Sequence, residues 1–263
     1  MSDLNDSSNI AQQCQQMATS LFGDTADYFN ESMPLKRLQN IFDILSITHH
    51  NFAHTLNPKN NIHPKLIRSI INEGSFTNDK IATHYFAGIL ASSLKLSDSD
   101  DRGIDFLHLI DKLTAYQLRT HFLIYSTIRT RFKKHKYQFN YTDCEKMEIF
   151  IPSFFYSKSM KMKKEEWSRI HPLTHHSFTG LANHHLIETD YRFGYAESQQ
   201  QVVKGLNFDG VICQPTATGV DFFLWAFGAG DQQHHFLFNK NFQPKIKGFT
   251  GTLQHILPTR HPF

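Results

Sequence analysis

IHPKLIRSIINEGSFTNDKIATHYFAGILASS, residues 62–93, is the stretch whose reading decides the fold. Pro64 suits a first helical position, where no backbone N–H is needed, and Leu66, Ile67, Ile70 and Ile71 follow it at helical spacing. Gly74 suits the end of that helix. Thr77 or Asn78 can cap the next one, and Asp79 complements its positive N-terminus. Ile81, Tyr85, Phe86, Ile89 and Leu90 then form a stripe fit for burial. Two helices joined by a polar turn are predicted.

The same periodicity extends in both directions. Upstream, Leu35, Leu38, Phe42, Leu45, His49, Phe52 and Leu56 alternate steps of three and four, the spacing of a packed helical seam, between Pro34 and Pro58. Before it, Ile10, Cys14, Met17, Ala18 and Leu21 share one helical face that stops at Gly23. Downstream of the acidic loop SDSDDRG, residues Ile104 to Leu113 are helical. Thr114 with Gln117 fits a capping box, opening a helix from Ala115 to about Arg131 with Leu118, Phe122 and Tyr125 inward. An N-terminal arm or helix (1–20) and an α-helical domain (21–131) follow from this pattern.

Beyond Phe132 the pattern changes. Residues 132–163 read as a basic junction, in which aromatics alternate with Lys and Pro152 interrupts the apolar run Ile149 to Tyr156. Residues 164–243 read as a helix around Glu165 to Ile170, a helix from Phe178 to Ile187, a strand at YRFGYA, a strand at Gly210 to Cys213 and a helix from Thr216 to Phe227. That order resembles a winged helix, with Asp209-Gly210 at the turn before the second wing strand. Residues 244–263 form a C-terminal tail. The predicted fold is thus mainly α, a helical N-terminal domain followed by a smaller α+β winged-helix-like domain.

Composition narrows the function classes. No stretch of the 263 residues approaches the roughly 20 consecutive apolar residues of a membrane span, and MSDLNDSSNI is no secretory signal, so a cytoplasmic protein without membrane partners is expected. Cys14, Cys144 and Cys213 are odd in number and far apart, which implies neither a disulfide framework nor a cysteine zinc site. Between Arg129 and Lys164 ten Lys/Arg stand against three Asp/Glu, a local excess of +7 in a chain of net charge +3.

Catalytic motifs are missing. The sequence contains no GxSxG, no GxxxxGK[ST], no HExxH or HxxEH, and no GxGxxG after a strand. Gly228 and Gly230 make a GxG that reads as a helix end. Seventeen histidines include the pairs His49-His50, His175-His176, His184-His185 and His234-His235. Only His50 with His54 and His171 with His175 have the spacing to share a helical face, and a zinc site would need a further ligand. Asp98, Asp100 and Asp101 lack the later Glu and Gly of a calcium loop and read as a solvated helix-capping segment. No cofactor, metal site or catalytic residue is predicted.

The basic region carries more chemistry. Arg129, Arg131, Lys133, Lys134 and Lys136 alternate with Phe132, Tyr137 and Phe139, and phosphate attraction combined with aromatic stacking is how such a surface would hold nucleic acid. These five cations are the candidate nucleic-acid-binding residues.

LFGDTADYFNE (21–31), the stretch 62–93 and DDRGIDFLHLIDKLTAYQLRTHFLIYSTI (100–128) together resemble the helical domain of the abortive-infection alpha family, over about Leu21 to Ile128. The resemblance is one of order and spacing, and implies a link to bacterial defence against phage without catalytic residues to carry over. The small residues Ala87, Gly88, Ala91, Ser92 and Ser93 have a physical explanation of their own, since they let helices approach closely. The leading expectation is a non-enzymatic interaction or regulatory protein that binds nucleic acid or an acidic protein partner. A second reading is an enzyme with a histidine-carboxylate site, metal-bearing or not, built around His121 or His171. A third is a structural assembly subunit, with self-association into a homo-oligomer.

Overall fold

The computed structural model describes residues 2–22, 33–52, 63–96, 99–135, 137–194, 209–249 and the strand at 257–258. The chain is mainly helical and divides into two compact units, residues 1–114 with 224–232, and residues 115–223 with 233–263. Among the described residues no helix is long and apolar enough to cross a membrane.

The first unit contains α1 (Ser2–Phe22), α2 (Leu35–Phe52), α3 (Pro64–Asn72), α4 (Lys80–Lys95) and α5 (Arg102–Lys112). Pro64 opens α3 as the sequence signals, behind His63, whose Nδ1 accepts the Lys65 N–H. The cap of α4, however, is Asp79 rather than Thr77 or Asn78, because its carboxylate is the side chain that reaches the first free N–H groups, accepting that of Ile81 at 2.9 Å. Between them Asn40 and Arg37 of α2 brace the turn, donating to the Ser75 carbonyl at 2.7 Å and the Ser75 hydroxyl at 3.0 Å. Every residue of α4 from Ile81 to Leu94 is buried, as expected of a central helix with neighbours on all sides.

The small residues of α4 meet backbone. A Cβ on Gly88 would lie 1.8 Å from the Ala226 carbonyl oxygen. One turn on, the Ser92 hydroxyl donates to the Trp225 carbonyl at 3.0 Å and accepts the Gly230 N–H at 3.1 Å. On another face Thr48 of α2 donates to the Ala87 carbonyl. Small side chains here allow helix-to-backbone approach, as the sequence suggests.

The second unit contains α6 (Ala115–Phe132), α7 (Tyr141–Lys146), β1 (Ile149–Pro152), α8 (Ser153–Ser159), a 3-10 segment (Lys164–Arg169), α9 (Ile170–Asn183), β2 (Arg192–Gly194) and β3 (Gly210–Cys213). There follow α10 (Ala217–Ala226), whose last three residues count with the first unit, a 3-10 segment (His234–Phe238) and β4 (Leu257–Pro258). The antiparallel sheet has the order β2-β3-β1-β4, with Ile149 opposite Cys213, Pro152 opposite Gly210 and Arg192 opposite Ile212. Gly210 is required there, because a Cβ would lie 2.5 Å from the Ile151 carbonyl oxygen.

Further local readings differ from the sequence. The helix placed at Ala115 to Arg131 with the N-terminal set belongs by its contacts to the second unit. The apolar run cut by Pro152 is a strand ending at that proline, followed directly by α8. Finally, α9 begins at Ile170 rather than Phe178, because Pro172 lies in the first turn, where its missing N–H has no intrahelical partner to lose. It ends at Asn183 with His185 at φ 56°, and the Leu186 N–H reaches back to Leu181 in a Schellman closure.

Candidate nucleic-acid interface

The first half of the basic run lies at the C-terminal end of α6. Arg129 is half-buried, and its guanidinium donates to the carbonyls of Phe242 and Asn239, the latter at 3.2 Å, so that it ties down the segment after the second 3-10 turn. Burial holds its pKa below the usual guanidinium value. Arg131, Lys133 and Lys134 are exposed, and Lys136 lies outside the described residues. The rings expected beside them turn inward: Phe132, Tyr137 and Phe139 are all buried, with Phe139 stacked on Phe238 at 5.6 Å. The three rings read as stacking partners of these cations are therefore core residues.

The second half of the run differs. In α8, Tyr156 turns inward and shares a 2.6 Å hydrogen bond with Thr120, which leaves Phe154 and Lys158, four residues apart, facing outward. Phe154 is 56% exposed and Trp167 50% exposed, and their rings lie 6.5 Å apart at nearly a right angle. Lys158, Lys161, Lys163, Lys164 and Arg169 are exposed in the same segment, against Glu165 and Glu166. Glu166 is engaged locally: it accepts the Tyr116 hydroxyl and, at 2.6 Å, the Lys163 N–H, and the Tyr116 bond above all holds its carboxyl below the usual range. Lys161 adopts φ 53° at the turn after α8 and donates to the Gly248 carbonyl.

These two clusters are not one stripe. Glu166 is bonded to Tyr116 at the start of α6, whereas Lys133 lies 17 positions further along, just past that helix's end. At 1.5 Å per residue α6 separates Tyr116 from Lys133 by about 25 Å. The sequence reading takes this stretch only as part of the basic junction and names no site residue in FFYSKSMKMKKEEW, residues 154–167, where three aromatics precede four lysines and Trp167 follows them.

The described histidines do not assemble into a metal site. His121 is fully buried, packed against Tyr125, Phe222 and Phe223, and its Nε2–H donates to the Gly219 carbonyl at 3.0 Å. Burial lowers its pKa to about 3, so it is neutral and serves as a core hydrogen-bond donor. His171 rests edge-on against Phe193, and His175 shares a 3.3 Å hydrogen bond with Thr179. His54 lies outside the described residues. Among those described, no group of three or more His, Cys, Asp or Glu could hold a metal ion.

The remaining candidates are structural. Asp100 forms an ion pair with Arg102 at 2.7 Å, while Asp98 lies outside the described residues. Gly228, at φ 70°, closes α10 with the Ala229 N–H bonded to Leu224, so the GxG is a helix end. The three thiols are buried, and desolvation pushes Cys14 and Cys144 up to about 12 and Cys213 well above its usual value. The sequence reading passed over Glu148, a buried carboxylate before β1 that accepts from Arg192 at 2.7 Å and Gln214 at 2.8 Å. It pins the sheet end. No family model matches the chain, and no curated protein or solved structure does so either.

Proposed function

We propose that this protein is a non-enzymatic binding protein whose second unit is a winged-helix-like module that holds nucleic acid. The observation that carries the reading is the pair of half-exposed rings, Phe154 and Trp167, set in a segment with five exposed cations. Rings left in water at such exposure, beside charge that attracts phosphate, are the composition of a nucleic-acid surface. Support for the winged-helix assignment comes from the element order: helix, β1, helix, helix, β2, β3, with β1 and β2 both pairing with β3. The non-enzymatic reading is supported by His121 being buried and neutral, and by the scatter of the other described histidines. A role in phage defence has the resemblance of Leu21 to Ile128 as its support.

The test is fluorescence anisotropy of a labelled oligonucleotide, single-stranded and duplex, titrated with the full chain between 50 and 300 mM salt. Affinity should fall steeply as salt rises, with a log–log slope of about −0.7 to −0.9 per phosphate neutralised. Lys163→Glu/Lys164→Glu and Lys133→Glu/Lys134→Glu, measured separately, assign the contact to one end of α6 or the other. Undetectable or salt-independent binding to both probes would reject the proposal.

A further inference from the structure

We infer that the surface around Phe154 and Trp167 takes single-stranded nucleic acid in preference to duplex, with an unpaired base stacked on Trp167. This deepens the preceding reading and rests on it. The argument begins with what each element can offer. In a winged-helix-like arrangement α9 would be the helix placed to enter a major groove. Its residues, IHPLTHHSFTGLAN, contain no Lys or Arg, the side chains that most often read guanine edges. Its exposed positions are Pro172, His175, His176 and Asn183, and Thr179 is occupied by the Tyr191 hydroxyl at 2.7 Å. Groove reading by α9 therefore has little chemistry behind it.

The cations and rings lie just before α9 instead. Lys158 stands one turn from Phe154, and Lys163 and Lys164 lead directly into the turn that carries Trp167. In a duplex the base faces are already covered by neighbouring bases, so a tryptophan face can be covered only by a base that is out of the stack. Phosphates next to that base would lie within reach of the flexible lysines, while Glu166, which offsets part of the charge, is held back by Tyr116 and the Lys163 N–H. The combination is a stacking platform beside a cationic track, which tolerates any base because every base has a π-face. Either deoxythymidine or uridine strands could supply that chemistry.

Tryptophan fluorescence reads the site directly. The chain has two tryptophans, and Trp225 is 2% exposed, so quenching by a bound strand reports on Trp167. Full-length protein is titrated with a 20-nucleotide oligodeoxythymidine, an oligouridine of equal length and the duplex formed by the former with its complement. One of the single strands should bind at least tenfold tighter than the duplex and quench the emission. Trp167→Ala should weaken single-strand binding about 5- to 150-fold with the salt slope unchanged. Trp167→Phe should restore most of the affinity without the quenching, and Lys163→Ala/Lys164→Ala should flatten the single-strand slope by about 1.4. Duplex binding as tight as single-strand binding, or a Trp167→Ala variant that folds and binds unchanged, would overturn this inference and leave nucleic-acid binding standing. Failure to bind any of the three probes would remove both.

Discussion

Gly88→Ala is a one-methyl change for which two effects oppose each other. Helix propensity favours Ala over Gly by about 1 kcal/mol inside a helix, so α4 alone would gain stability. The site allows no such gain. The new Cβ would lie 1.8 Å from the Ala226 carbonyl oxygen, 2.2 Å from the Ala226 carbonyl carbon and 2.9 Å from the Phe227 nitrogen. All three are backbone atoms, so no side chain can rotate away and the segment must retreat from α4. Overpacking of this kind costs about 1–3 kcal/mol, occasionally more. Retreat also strains the two Ser92 hydrogen bonds one turn away, each contributing about 1 kcal/mol. The net expectation is a loss of about 2–3 kcal/mol, and at about 2–4 °C per kcal/mol for a chain of this size the Tm should fall by about 5–10 °C. Thermal and urea melts followed by circular dichroism measure it. A Tm that is unchanged or raised would show that propensity outweighs contact here, and would refute the close approach of α4 to residues 226–227.

His185→Gly should raise stability by about 1 kcal/mol in a urea melt, because His185 holds φ 56° at the end of α9 and a Cβ is disfavoured there; a lower midpoint would contradict the assignment. The ion pair of His234 with Asp221, at 2.8 Å, gives a pH effect of definite sign. The hydrogen bond to Asp221 raises the His234 pKa, so the stabilisation is complete below the unfolded value of about 6.5 and is lost as pH climbs through the raised folded value. Both groups are partly solvated, so the effect should stay under about 1 kcal/mol. Asp221→Asn should abolish it in urea midpoints compared between pH 5.5 and 8.5, and an unaltered pH profile in that variant would count against the pair.

The helices were legible because their signals are local. Pro64, Asp79 and the three-four spacing of apolar residues act within a turn or two of where they occur, and α3 and α4 are where those signals place them. The small residues of α4 were legible as a demand for close approach, but not what approaches, since the Ala226 and Trp225 carbonyls lie far along the chain. The strand at Ile149–Pro152 was obscured because its proline argues against a strand until the pairing partner, β3, is known.

The candidate site shows the same limit. Charge and aromatic content can be counted from the sequence, and the excess between Arg129 and Lys164 was evident there. Whether a ring faces water cannot be counted. Phe132, Tyr137 and Phe139 are buried while Phe154 and Trp167 are not, because exposure is set by neighbours distant in sequence, such as Phe238 stacked on Phe139. The sequence by itself determined a mainly helical chain with a cationic segment and no catalytic motif, all properties of residue type and short-range spacing. Tertiary structure alone decided that the segment splits into two clusters held apart by the length of α6, that Arg129 braces backbone carbonyls, and that two rings remain exposed beside lysines. Those outcomes depend on contacts between residues far apart in the chain, which no local pattern encodes.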